Sequence, residues 1–131
     1  MRVLVLVVNI SFLYLQHPAT AQSPDIPRFN GKSVDQLIVL LKDKDAGVRS
    51  EAASELFRHY SEARKAVPAL IGALTDPDKD VRVAVADSLG AMGSKAKRAG
   101  PALICALKDR APEVRSSVVR ALVPHHSNSI A

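Results

Sequence analysis

The chain has 131 residues, 47% of them apolar but only 4% aromatic, and it contains no Trp. Its core must be assembled from Leu, Val, Ile and Ala, which suits helix packed on helix, and a charged fraction of 24% excludes wholesale disorder. The formal charge of +5 is mild and points away from a nucleic-acid partner, while the single cysteine, Cys105, excludes an internal disulfide framework.

The first 21 residues differ in character from the rest. Arg2 gives a small positive start, Val3 to Leu15 is an apolar run interrupted only by Asn9 and Ser11, and Ala19-Thr20-Ala21 precedes Gln22. A charged start, a short apolar stretch and small residues at the boundary predict a cleaved secretory signal peptide. The run is short for a membrane-spanning helix, which needs about 20 residues. Cleavage would leave residues 22–32 as an N-terminal extension and place the protein in the periplasm or outside the cell. It would also remove Arg2, so that 18 basic side chains become 17 against 13 acidic ones, net +4. An anionic surface remains an acceptable partner at that charge.

From Ser33 onward the sequence repeats itself every 33 residues. Leu37, Ile38, Leu41, Asp43, Val48, Arg49, Ala52 and Leu56 recur as Leu70, Ile71, Leu74, Asp76, Val81, Arg82, Val85 and Leu89. They recur again as Leu103, Ile104, Leu107, Asp109, Val114, Arg115, Val118 and Leu122. A fixed period of this size is the mark of a stacked array, in which each unit offers the same residues to its neighbour. Three units, 33–65, 66–98 and 99–124, are expected, followed by a polar tail at 125–131.

Each unit reads as two helices. The first are SVDQLIVLLK, AVPALIGALT and AGPALICALK, with apolar residues on one face. Ser33 and Gln36 have the spacing of a capping box, and Pro68 and Pro101 are expected at helix starts, where a missing N–H costs least. The second helices begin near Val48, Val81 and Val114, and Gly90 and Gly93 are expected to punctuate the end of one of them. Between the helices lie the turn phrases DKDAG, DPDKD and DRAPE. Leu70, Leu74, Leu89, Leu103 and Leu107 are the expected core.

The phrase P-A-L-I-x-A-L-x-D, then V-R, then a Leu eight residues past the Val, resembles HEAT repeats. It is similar in particular to the short bacterial class named after phycocyanobilin lyase subunits. The resemblance covers residues 33 to about 124 and implies an all-α solenoid, an α-α superhelix that works as a protein-interaction or scaffold module. The T-P-L-H phrase of ankyrin repeats and the W-x-x-L-G-x-x-Y phrase of tetratricopeptide repeats are absent. Some relatives in this wider group are enzymes, so a lyase-like or deoxyhypusine hydroxylase-like accessory subunit is the alternative, as is a piece of a longer array. The hydroxylase resemblance would require His-Glu pairs for iron, and this sequence has no His-Glu dipeptide. No catalytic residue, cofactor or metal ligand is assigned.

The recurring Asp43/Asp76/Asp109 and Arg49/Arg82/Arg115 positions predict a structural network from unit to unit. The resemblance also implies that the second helices line the concave surface, which makes Ser54, Arg58, Asp87 and Arg120 candidates for binding a protein. Arg64, Lys65, Lys95, Lys97 and Arg98 form a basic edge suited to an anionic surface. Cys105 is expected inside the packed helices, with an intermolecular disulfide as the sharper alternative. The last unit carries Val118, Val119, Leu122 and Val123, an apolar set at the array's end. Val119 and Leu122 are therefore candidates for self-association or for capping onto a partner, against a tail that folds back with Ile130 over the gap.

Overall fold

The computed structural model describes residues 31–59 and 61–123. The expected signal peptide, most of the N-terminal extension, and the tail with Ile130, His125 and His126 lie outside these residues. Six α-helices follow one another among the described residues: α1 (Val34–Leu40), α2 (Ala46–Leu56), α3 (Ala63–Ala73), α4 (Lys79–Met92), α5 (Gly100–Ala106) and α6 (Pro112–Leu122). A 3₁₀ segment, Gly93–Ala99, joins α4 to α5. The fold is the expected all-α solenoid, built from the hairpins α1/α2, α3/α4 and α5/α6.

The helix starts follow from their first residues. Ser33 Oγ accepts the Gln36 N–H at 3.3 Å while the Ser33 N–H donates to Gln36 Oε1 at 2.9 Å, so both halves of the capping box form. Asp45 caps α2 by accepting the Gly47 N–H at 2.7 Å, and Asp78 caps α4 through the N–H groups of Asp80 and Val81. Pro112 opens α6 and Pro101 stands in the first turn of α5, where proline is tolerated.

Pro68 departs from expectation. Helix α3 begins at Ala63, so Pro68 lies inside it. The Ala63-Arg64-Lys65-Ala66 stretch has enough helix propensity to add a turn ahead of the proline. The bond that Pro68 cannot give would have gone to the Arg64 carbonyl. Both residues are exposed, so water can serve that oxygen.

The second helices form the central row. α4 packs on α2 on one side and on α6 on the other, and these are the most extensive contacts in the array. Ala52, Ala53, Val85, Ala86 and Val118 are fully buried along this row, with Leu56 and Leu89 beside them. Gly93 ends α4 with φ +55, a backbone conformation that L side chains rarely adopt. Gly90 has another role: it is buried within α4, and a Cβ there would lie 2.9 Å from the Ala121 backbone. The glycine lets α4 and α6 approach closely.

Leu70, Leu74, Leu89 and Leu103 are buried, but Leu107 is 37% exposed. No further unit among the described residues covers it. Cys105 is also exposed rather than packed inside. Its counterparts Val39 and Gly72 are exposed too, so this position faces outward in every unit.

Candidate interaction surfaces

The turns hold a ladder of ion pairs that locks each unit to the next. Arg49 Nε and Nη2 donate to the two carboxylate oxygens of Asp76 at 2.8 and 3.0 Å. Arg82 grips Asp109 in the same way, also at 2.8 and 3.0 Å. In both cases the remaining guanidinium nitrogen, Nη1, donates to two carbonyls of its own turn: Asp43 and Lys44 for Arg49, Asp76 and Pro77 for Arg82. Each acceptor carboxylate is also fixed by a backbone N–H two residues on, Asp78 for Asp76 and Ala111 for Asp109. The forked geometry suits Arg and would not survive replacement by Lys.

Ionisation follows this geometry. The hydrogen bond from Arg82 holds the Asp109 carboxyl below its ordinary value against the opposing effect of burial, helped by the Ala111 N–H. Burial alone would push Asp76 up. The hydrogen bonds from Arg49 and the Asp78 N–H, with the charges of Arg49 and Arg82, carry it down instead. The Arg49 guanidinium is raised, chiefly by its hydrogen bond to Asp76.

The second-helix face presents four of the residues named from the sequence. Ser54, Arg58, Asp87 and Arg120 are all exposed, on α4, α6 and the C-terminal half of α2 and its end. Asp87 and Arg120 meet at 3.2 Å across neighbouring units, and Arg120 also donates to Ser117 Oγ at 2.8 Å. Arg58 approaches Glu55 at 3.7 Å. Surface pairs of this kind contribute only about 0–1 kcal/mol to stability, so a partner can compete for them at little cost. On the basic edge, Lys65 is bonded to Asp35 at 3.0 Å, which raises its pKa, while Lys97 and Arg98 are exposed.

Comparing the units position by position locates the open end. Ile38 and Ile71 are half-buried where Ile104 is exposed; Leu41 and Leu74 are buried where Leu107 is partly open. Ala53 and Ala86 are fully buried where Val119 is 50% exposed. Leu122 is half-buried, Val123 is exposed and Val118 is buried. The residues that meet the next unit in the first two repeats are thus the ones uncovered in the third.

One surface had no sequence signal of its own. α3 packs on α1, on α4 and on the 3₁₀ segment, and a groove of about 620 Å³ lies between it and α5. Ile71, Leu74, Ala102 and Ala106 give it an apolar side, and Cys105, Lys108 and Arg110 line it as well. It lies along the C-terminal end of α3, along α5 and against the turns that follow them. Among the described residues no cluster of His, Cys, Asp or Glu has the arrangement of a metal site, and no helix is long and apolar enough to cross a membrane.

Comparison with known proteins places this geometry. Residues 34–123 match the family of HEAT repeats. Among solved structures, the chain is similar to the crystal structure of an engineered protein, a Northeast Structural Genomics Consortium target, with 28% identity and a TM-score of 0.58. The match covers 69% of this chain and 44% of that one, so the chain spans less than half of its neighbour's length. No curated protein matches the sequence.

Proposed function

The chain belongs to the HEAT repeat family, and from that premise we propose that it is a protein-interaction module that works by presenting surfaces rather than by catalysing a reaction. One observation carries this reading. A row of second helices that repeats Val48/Val81/Val114 and Leu56/Leu89/Leu122 on its inner side displays exposed side chains that differ from unit to unit: Ser54, Asp87 and Arg120. The interior fixes their spacing, and their differing chemistry supplies specificity. A partner on this face would compete for the Asp87–Arg120 pair and for Arg58.

Two finer readings accompany it. The P-A-L-I-x-A-L-x-D phrase supports the short bacterial repeat class named after phycocyanobilin lyase subunits. Arg2, the apolar run to Leu15 and Ala19-Thr20-Ala21 support an exported protein, in which exposed Lys97 and Arg98 would serve an anionic surface.

The test is affinity capture with the chain as bait, read by quantitative mass spectrometry, beside an Arg58→Glu, Asp87→Lys variant of unchanged helicity. The reading expects the wild type to enrich a protein that the variant loses. Equal capture by both, or none by either, would overturn it.

A further inference from the structure

The Asp–Arg ladder has two complete rungs and, at each end, half of a third. At the C-terminal end, Arg115 Nη1 donates to the carbonyls of Asp109 and Arg110 at 2.7 and 3.3 Å. Arg49 and Arg82 are oriented by the matching two carbonyls of their own turns. Yet Nε and Nη2 of Arg115, the atoms that grip the next carboxylate in the complete rungs, meet no acceptor among the described residues. At the N-terminal end, Asp43 Oδ1 accepts the Asp45 N–H at 2.9 Å, the bond that also fixes Asp76 and Asp109 at 2.9 Å. No guanidinium among the described residues reaches across to the Asp43 carboxylate.

We propose that a second copy of this chain completes the rung, with Arg115 of one copy bonding Asp43 of the next in a head-to-tail contact. The inference rests on reading the array as an interaction module and names the partner of its open end. Donor and acceptor are each already held in the geometry of a finished rung, so forming the pair requires little further ordering. The uncovered apolar residues around Arg115, namely Ile104, Leu107 and Val119, would gain the cover that their counterparts have.

Other arrangements fit less well. Two C-terminal ends facing each other would oppose one Arg115 to another.

The same comparison limits how tight the contact can be. On the head face the exposed Glu51 stands where Ala84 and Ser117 are buried in the later units. A carboxylate there keeps the junction looser than an internal one. The contact is therefore weak, reversible and sensitive to salt. Being heterologous, it does not close on itself in a simple dimer but adds copies in a row.

Sedimentation over a concentration series tests this, with the protein purified after processing in the expressing cell and helicity checked for each variant. The wild type should show a mean mass that rises with concentration and falls back as salt goes from about 50 to about 500 mM. Arg115→Glu and Asp43→Arg should each weaken association about tenfold or more. An equimolar mixture of the two variants should associate again, because each then offers the charge the other needs. So should the double variant with itself, which guards against mistaking a folding defect for a lost contact. A monomeric wild type throughout, or an Asp43→Arg protein that associates like the wild type, overturns the proposal. Either result leaves partner capture by the second-helix face untouched, so the two readings fail separately.

Discussion

Leu41, Leu74 and Leu107 offer one experiment performed three times at a single repeat position. The same residue stands on the same helix face in each unit, at 6%, 5% and 37% exposure. Truncating Leu41 or Leu74 to Ala removes buried methyl groups and leaves a cavity closed by the next unit, a loss of about 2–5 kcal/mol. At Leu107 the neighbourhood is open to water, so no closed cavity forms and only part of the transfer free energy is lost. Full burial of a Leu is worth about 1.5–3 kcal/mol, so Leu107→Ala should cost about 1–1.5 kcal/mol. Urea unfolding followed by helical circular dichroism measures the three variants, at a dilution where no self-association interferes. The expected order is two large midpoint shifts and one small one at a common slope. If Leu107→Ala costs as much as Leu74→Ala, the end face is covered in solution by something other than a second copy. If Leu74→Ala leaves the midpoint unchanged, the assignment of the core is wrong.

Gly90→Val should lose about 1–3 kcal/mol through overpacking, because its Cβ would press on the Ala121 backbone; urea midpoints check this. Ser33→Ala should cost about 1 kcal/mol by removing the cap of α1, read in the same way. The ladder also makes a prediction about pH. Asp76 and Asp109 have folded pKa values below the ordinary carboxylate value of about 3.9. Their contribution is therefore complete above the unfolded pKa and is lost as pH falls through the folded one. Stability should hold near neutral pH and fall on acidification below about pH 4, and an Asp76→Asn, Asp109→Asn variant should be less stable at pH 7 with a shallower acid limb. Export predicts a processed protein beginning at Gln22, and an intact Met1 terminus by mass spectrometry would refute it.

The sequence was most legible where a residue's role depends on its own repeat. The 33-residue period exposed the stacked hairpins, the box at Ser33 announced its helix, and the Asp and Arg positions announced a ladder. A rung joins Arg49 to Asp76 because the neighbouring unit's turn, one period on, lies six residues before its own Arg. It failed where a role depends on what lies beyond the repeat. Leu107 has the identity of Leu74 without its neighbour, so the same letter is buried in one unit and exposed in the next. Cys105 faces outward against expectation because its direction is set by helix packing and not by residue type. Pro68 is tolerated inside α3 because solvent is at hand, and Gly90 reads as punctuation until α6 is brought against it.

The central claim is that the chain binds through the exposed face of its second helices. Hydrogen exchange of the captured complex tests it most directly. The account predicts slowed exchange or side-chain protection concentrated on α2, α4 and α6 around Ser54, Asp87 and Arg120, with the first helices little changed. Protection confined to the groove between α3 and α5, with the second-helix face unaffected, would contradict it.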